Sequence, residues 1–151
     1  MNKMLGPIQK TTPYYSINVY ATDGSWSSKF VFVAANAWDS AQSSWLSSVM
    51  AQQTTYTFVV RHEPSGTSGG PPGMTSDQVI SGFPYTLLIV GHSHTYAQKS
   101  TNEVLFGNGG APLTGSVNYG YVIARQQASG SIQFSAYDYA TNAVTNTFTV
   151  Q

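Results

Sequence analysis

The chain has no cysteine, only three histidines, and charged side chains at just 8% of its 151 residues. Without thiols there is neither a disulfide framework nor a thiolate metal site, so any metal must be held by His, Asp, Glu or Asn. Six Lys plus Arg cancel six Asp plus Glu, which excludes the basic footprint of a nucleic-acid binder. No apolar run is long enough to span a bilayer. The opening Met1-Asn2-Lys3-Met4-Leu5-Gly6-Pro7 also lacks the apolar stretch of a signal peptide.

What is present is a 41% hydrophobic content, enough to bury a core without covalent staples, and 1–151 reads as a single domain. The solvated surface must be built mainly from uncharged polar groups, with 19 Ser and 16 Thr among them. That composition favours a secreted or envelope location.

Tyr14 to Tyr20 and Lys29 to Ala35 read as a β-hairpin around Asp23-Gly24, a favoured turn step. Asp39 and Ser40 precede Ala41, Trp45, Val49 and Met50 at helical spacing, and Asp39 with Gln42 has the residue types of a capping box. One helix of about three turns is expected there. Tyr56 to Val60 is β-branched and aromatic, stopped by Pro64. Ser65 to Gly73 reads as a loop, either a lid or a connector, because it is poor in apolar groups and rich in turn formers. A short helix can follow from about Thr75 to Ser81. Leu87-Leu88-Ile89-Val90 has the unbroken apolar character of a strand covered on both faces. Strands are then expected over 104–106, 120–127, 131–139 and 143–150. Ile132, Phe134 and Ala136 share one face, as do Val144, Phe148 and Val150, so an antiparallel meander buries that face.

The three histidines, His62, His92 and His94, all follow apolar strand-like runs. Beyond the carboxyl ends of parallel strands side chains converge, and imidazoles gathered there suit zinc, iron or manganese. Gly91 would supply a tight turn before His92. The plainer reading of each histidine is a hydrogen-bonded structural residue. Arg61 reads as a solvated or paired cation, although its planar fork would also suit a phosphate. Asp39 reads as a cap, and Asp23, Asp77 and Asp138 as turn, loop or surface residues. Gly107-Asn108-Gly109-Gly110 lacks the spacing of a nucleotide loop and reads as a turn.

In order along the chain stand Pro13-Tyr14-Tyr15-Ser16, Phe30 to Asn36, Gln42-Ser43-Ser44-Trp45-Leu46, Val59-Val60-Arg61-His62-Glu63-Pro64, Gly91-His92-Ser93-His94-Thr95-Tyr96 and Val104 to Ala111. This ordered set resembles the C-terminal half of the calcineurin-like metallophosphoesterases, nearest to their purple acid phosphatase branch. The resemblance implies an α/β (α+β) fold, a mixed β-sandwich flanked by helices. It also implies a centre of two metal ions (iron, zinc or manganese) and hydrolysis of a phosphate monoester or diester. By it, His62 and His92 would ligate one ion and His94 the other, with Arg61 and Tyr96 beside the substrate.

The family's Asp-x-His, Gly-Asp-x-x-Asp and Gly-Asn-His motifs do not occur in this chain. They supply the bridging carboxylate, and two adjacent dications repel without it. The chain is therefore expected to be the C-terminal portion of such an enzyme, inactive alone and self-associating through an uncovered sheet. Two alternatives stand beside this reading. One is a mononuclear zinc hydrolase using the three histidines; the other is a non-enzymatic, β-rich binding or adhesion module using the aromatic residues.

Overall fold

Alternating apolar and polar residues fold Tyr15–Tyr20 (β1) and Ser27–Phe32 (β2) into an antiparallel hairpin, with Tyr15 opposite Phe32 and Tyr20 opposite Ser27. Its turn is closed by Asp23, whose Oδ1 accepts bonds from the Ser25 amide at 3.0 Å and the Ser25 hydroxyl at 2.7 Å. Gly24 supplies the left-handed residue, with φ 72°. These elements come from a computed structural model, which describes residues 5–115 and 117–151. The chain forms two compact units, Met1–Tyr85 and Thr86–Gln151.

In the first unit β2 runs parallel to β3, Tyr56–Val60, so the hairpin leads into a parallel pair. Helix α1, Ser40–Met50, starts where the Asp39 carboxylate accepts the Gln42 amide at 2.6 Å. The expected capping box is only half made. The Gln42 side chain turns instead into the core, accepting from the Ala34 amide and donating to the Ala34 and Ala37 carbonyls. The buried stripe is accordingly Gln42, Leu46, Val49 and Met50, while Ala41 is exposed and Trp45 is half-buried against Tyr14. At the other end of α1, Lys29 from β2 is buried and its ammonium donates to the Val49 and Gln52 carbonyls. A cation at a helix C-terminus complements the helix dipole, although burial pulls the Lys29 pKa below its ordinary value.

The segment read as a loop from Ser65 to Gly73 is ordered and largely helical, with a 3-10 turn over Gly66–Gly69 and helix α2 over Gly70–Ile80. Pro71 and Pro72 fall in the first helical turn, where no amide is needed. Gly69 and Gly73 are required by contact, since a Cβ at either would overlap the Pro64 carbonyl oxygen. A segment poor in apolar side chains thus packs through its backbone.

In the second unit β4, Leu87–Val90, is parallel to β6, Glu103–Phe106, and β5, Tyr96–Gln98, pairs antiparallel with β6. Leu87, Leu88 and Val90 are buried, as their unbroken apolar run requires. The closing strands β7 (Gly120–Gln126), β8 (Ile132–Asp138) and β9 (Val144–Val150) form the expected antiparallel meander. Phe134 stacks on Phe148 at 5.0 Å on the buried face. Val144 does not share that face. A register shift at Ala136/Tyr137 places Val144 opposite Tyr137, leaving it 55% exposed, because one extra residue in a strand reverses the alternation beyond it.

The whole is mixed α/β and strand-rich, as the sequence implied. None of the described helices is long and apolar enough to cross a membrane.

Candidate functional site

Each histidine lies just past the carboxyl end of a parallel strand within its own unit. His62 follows β3 and is exposed; His92 and His94 follow β4. The turn Gly91 to Thr95 is tightly wound, with the Ser93 amide bonded to the Gly91 carbonyl and the Thr95 amide to the Ser93 carbonyl. Gly91 was expected to relieve this turn, but the left-handed residue is His92, with φ 71°. A non-glycine residue in that region is held there by its surroundings and is a recurrent feature of functional turns.

Those surroundings are specific. The Gly107 amide donates to the Thr95 carbonyl and the Thr114 amide to the His94 carbonyl. Gly107 must lack a Cβ, since one there would overlap the Ser93 carbonyl oxygen. The glycine turn that follows β6 therefore serves to seat the histidine turn. The His94 ring is oriented by the Pro112 carbonyl, 2.7 Å from Nδ1. An imidazole donating through Nδ1 to a carbonyl keeps its Nε2 lone pair for a ligand or a proton. No local motif marks Pro112, and only the fold brings its carbonyl to His94.

Arg61 is a different case. Its side chain is fully buried, and all five N–H donors of a guanidinium are used. Nε donates to the Glu63 carbonyl, Nη1 to the Gly73 carbonyl and the Ser76 hydroxyl, and Nη2 to the Ser65 hydroxyl and the Asp77 carboxylate. The candidate phosphate fork is spent on fastening the 63–77 segment to the end of β3. Tyr96 is half-buried, stacked on Phe106, and its hydroxyl accepts from the Asn146 side-chain carboxamide at 2.8 Å. Burial raises the Tyr96 phenol pKa, with the Asn146 bond opposing it.

The carboxylates decide what the histidines can hold. Asp39 caps α1, Asp77 pairs with Arg61, and Asp23 closes the first hairpin. Asp138 accepts from Asn118, from the Ala140 and Thr141 amides and from the Thr141 hydroxyl. Those bonds, the Thr141 amide foremost, lower its pKa. Glu103 is buried on β6. Glu63 is buried too; its Oε1 accepts from the Asn36 side-chain carboxamide, and its Oε2 has no hydrogen-bond partner among the described residues. Among the described residues no group of three or more His, Asp or Glu side chains is gathered to hold a metal ion. These side chains do not by themselves fit a two-ion centre.

Solved structures show what this arrangement is similar to. GAP50, described as the anchor in the inner membrane complex of Plasmodium, superposes with a TM-score of 0.70 at 14% identity, over 91% of this chain and 54% of that one. The purple acid phosphatase PPD1 from yellow lupin (Lupinus luteus) seeds superposes with a TM-score of 0.68 at 15% identity, over 90% of this chain and 32% of that one. The fold is similar to part of that purple acid phosphatase and to part of GAP50. The chain spans about half of the first structure's length and about a third of the second's. No protein-family model and no curated protein sequence matches it.

Proposed function

We propose that the turn Gly91 to His94 contributes imidazole ligands to a phosphoesterase-type metal centre completed by carboxylates from outside these 151 residues; His62, past the end of β3, is an imidazole donor of the same kind. The seating of His94 carries this reading: its Nδ1 is fixed on the Pro112 carbonyl, the orientation that ligating histidines adopt. The order of the histidine motifs and the fold shared with a purple acid phosphatase support it. Iron, zinc and manganese are the ions suited to such donors. When bound, they would activate water and neutralise phosphoryl charge. The chain alone would lack turnover, because no group of three or more His, Asp or Glu side chains is gathered among its described residues.

Zinc and manganese titrations of the purified chain, with p-nitrophenyl phosphate hydrolysis assayed in parallel, test the proposal. Expected are metal binding that His92→Ala and His94→Ala abolish, and no hydrolysis. Turnover by the chain alone would instead support the mononuclear zinc hydrolase. Metal binding unchanged by both substitutions, or none at all, would overturn the metal reading.

A second reading is a non-enzymatic binding module. It is favoured by the lack of a gathered ligand set among the described residues. A fold shared with a protein described as an anchor is compatible with it.

A further inference from the structure

Two hollows lie side by side in the second unit, and no histidine lines either of them. One, of about 310 Å³, is lined by Tyr96, Asn108, Val117, Asn118, Tyr137, Asp138 and Thr145. The other, of about 260 Å³, is lined by Gly109, Gly110, Tyr119, Gly120 and Tyr139. Consecutive residues of the same three segments, 108–110, 118–120 and 137–139, face one hollow and then the other. The segments are tied together by the Gly120 amide on the Asn108 carbonyl and the Tyr139 amide on the Tyr119 carbonyl. The Asn108 side chain adds a bond to the Asn118 carbonyl at 2.9 Å. The rim between the hollows is therefore built, and each hollow is near the lower end of small-ligand pocket sizes.

Its chemistry is selective. Among the described residues, neither hollow is lined by Lys, Arg or His, so no cation there favours a phosphate or carboxylate. The only charged group among the described lining residues is Asp138, whose oxygens are already taken by Asn118, Ala140 and Thr141. What remains available is neutral. The Asn108 and Asn118 carboxamide oxygens and the Tyr119 and Tyr139 hydroxyls have no partner among the described residues, and Tyr139 is 72% exposed. A ligand that fits presents many hydroxyl donors, no charge and apolar C–H faces that can lie against a phenol ring.

We propose that these paired hollows bind a neutral oligosaccharide, with Tyr139 and Tyr119 as stacking platforms and Asn108 and Asn118 accepting sugar hydroxyls. This gives the binding-module reading a place and a ligand class. Its test is independent of metal, because all three histidines stay intact.

Calorimetric titration of the full chain with cellohexaose, maltohexaose and xylohexaose tests the site. Glucose 6-phosphate serves as the charged comparison, and Tyr20→Ala as an exposed-tyrosine control from the other unit. Saturable binding of at least one hexasaccharide is expected. Tyr139→Ala should weaken it about tenfold, as removal of an aromatic anchor does, and Asn108→Ala should weaken it as well. Tyr20→Ala should leave it unchanged. No saturable binding to any of the three sugars, tighter binding of glucose 6-phosphate than of all three, or equal binding by wild type and Tyr139→Ala would each overturn the proposal. The circular dichroism of Tyr139→Ala should match wild type, its ring being largely in solvent. If it does not, Tyr139→Phe, which keeps the ring, decides: retained affinity supports the stacking role and lost affinity overturns it.

Discussion

Nη2 of Arg61 lies 2.6 Å from Oδ1 of Asp77, and the arginine side chain is fully buried. The pair joins the end of β3 to the middle of α2, so a charged residue next to a candidate ligand holds up the fold beneath it. Removing one partner of a buried ion pair strands the other and its hydrogen-bonded neighbours. Arg61→Ala should lower stability by about 3–5 kcal/mol. Arg61→Lys should recover only part of that, since an ammonium cannot span five partners. Urea denaturation midpoints check both.

Gly107 is where one methyl group should reach the histidine turn. In Gly107→Ala the new Cβ would collide with the Ser93 carbonyl, whereas at Gly109 a Cβ meets nothing within 4 Å. Gly107→Ala should lower the denaturation midpoint and speed hydrogen exchange at the Thr95 amide. Gly109→Ala should stay within about 0.5 kcal/mol of wild type. Equal behaviour of the two variants would refute the idea that Gly107 seats the turn.

Acid should weaken the second unit through Asp138. Its folded pKa lies below the unfolded value, with the Thr141 amide bond as the largest cause and the Asn118 bond next. A depressed carboxyl pKa stabilises the fold above the unfolded pKa, and that contribution is lost as pH falls through the folded one. Stability should therefore hold from neutrality to about pH 4, near the unfolded aspartate value, and then decline. Asp138→Asn should flatten that decline, as read from denaturation midpoints between pH 7 and 2.

Strand β1 invites association. It is the outer strand of its sheet and leaves Ile17 45%, Val19 41% and Tyr20 65% exposed. An unprotected edge with apolar side chains is a template for pairing with another chain. Sedimentation velocity should show concentration-dependent oligomers, which Ile17→Lys with Val19→Lys should reduce. A concentration-independent monomer in the wild type would remove this expectation.

Local pattern by itself determined most of the elements. Tyr56–Val60 has the apolar, β-branched and aromatic residues that strands favour, and Asp39 before Ser40 is a favoured helix cap. The strand-end placement of His62, His92 and His94 was equally legible, because apolar runs and the punctuation after them are written in consecutive residues. Tertiary structure decided the rest. The 65–73 segment is ordered because Pro64, Gly69, Gly73 and Arg61 meet there, and none of those contacts is local enough to show as a period. Val144 left the buried face through one extra residue in its strand, which alternation alone cannot reveal. The ring of His94 is aimed by a carbonyl 18 residues further along the chain. Periodicity reports which face of an element is apolar, but the partner of each polar group is set by packing between segments far apart in sequence.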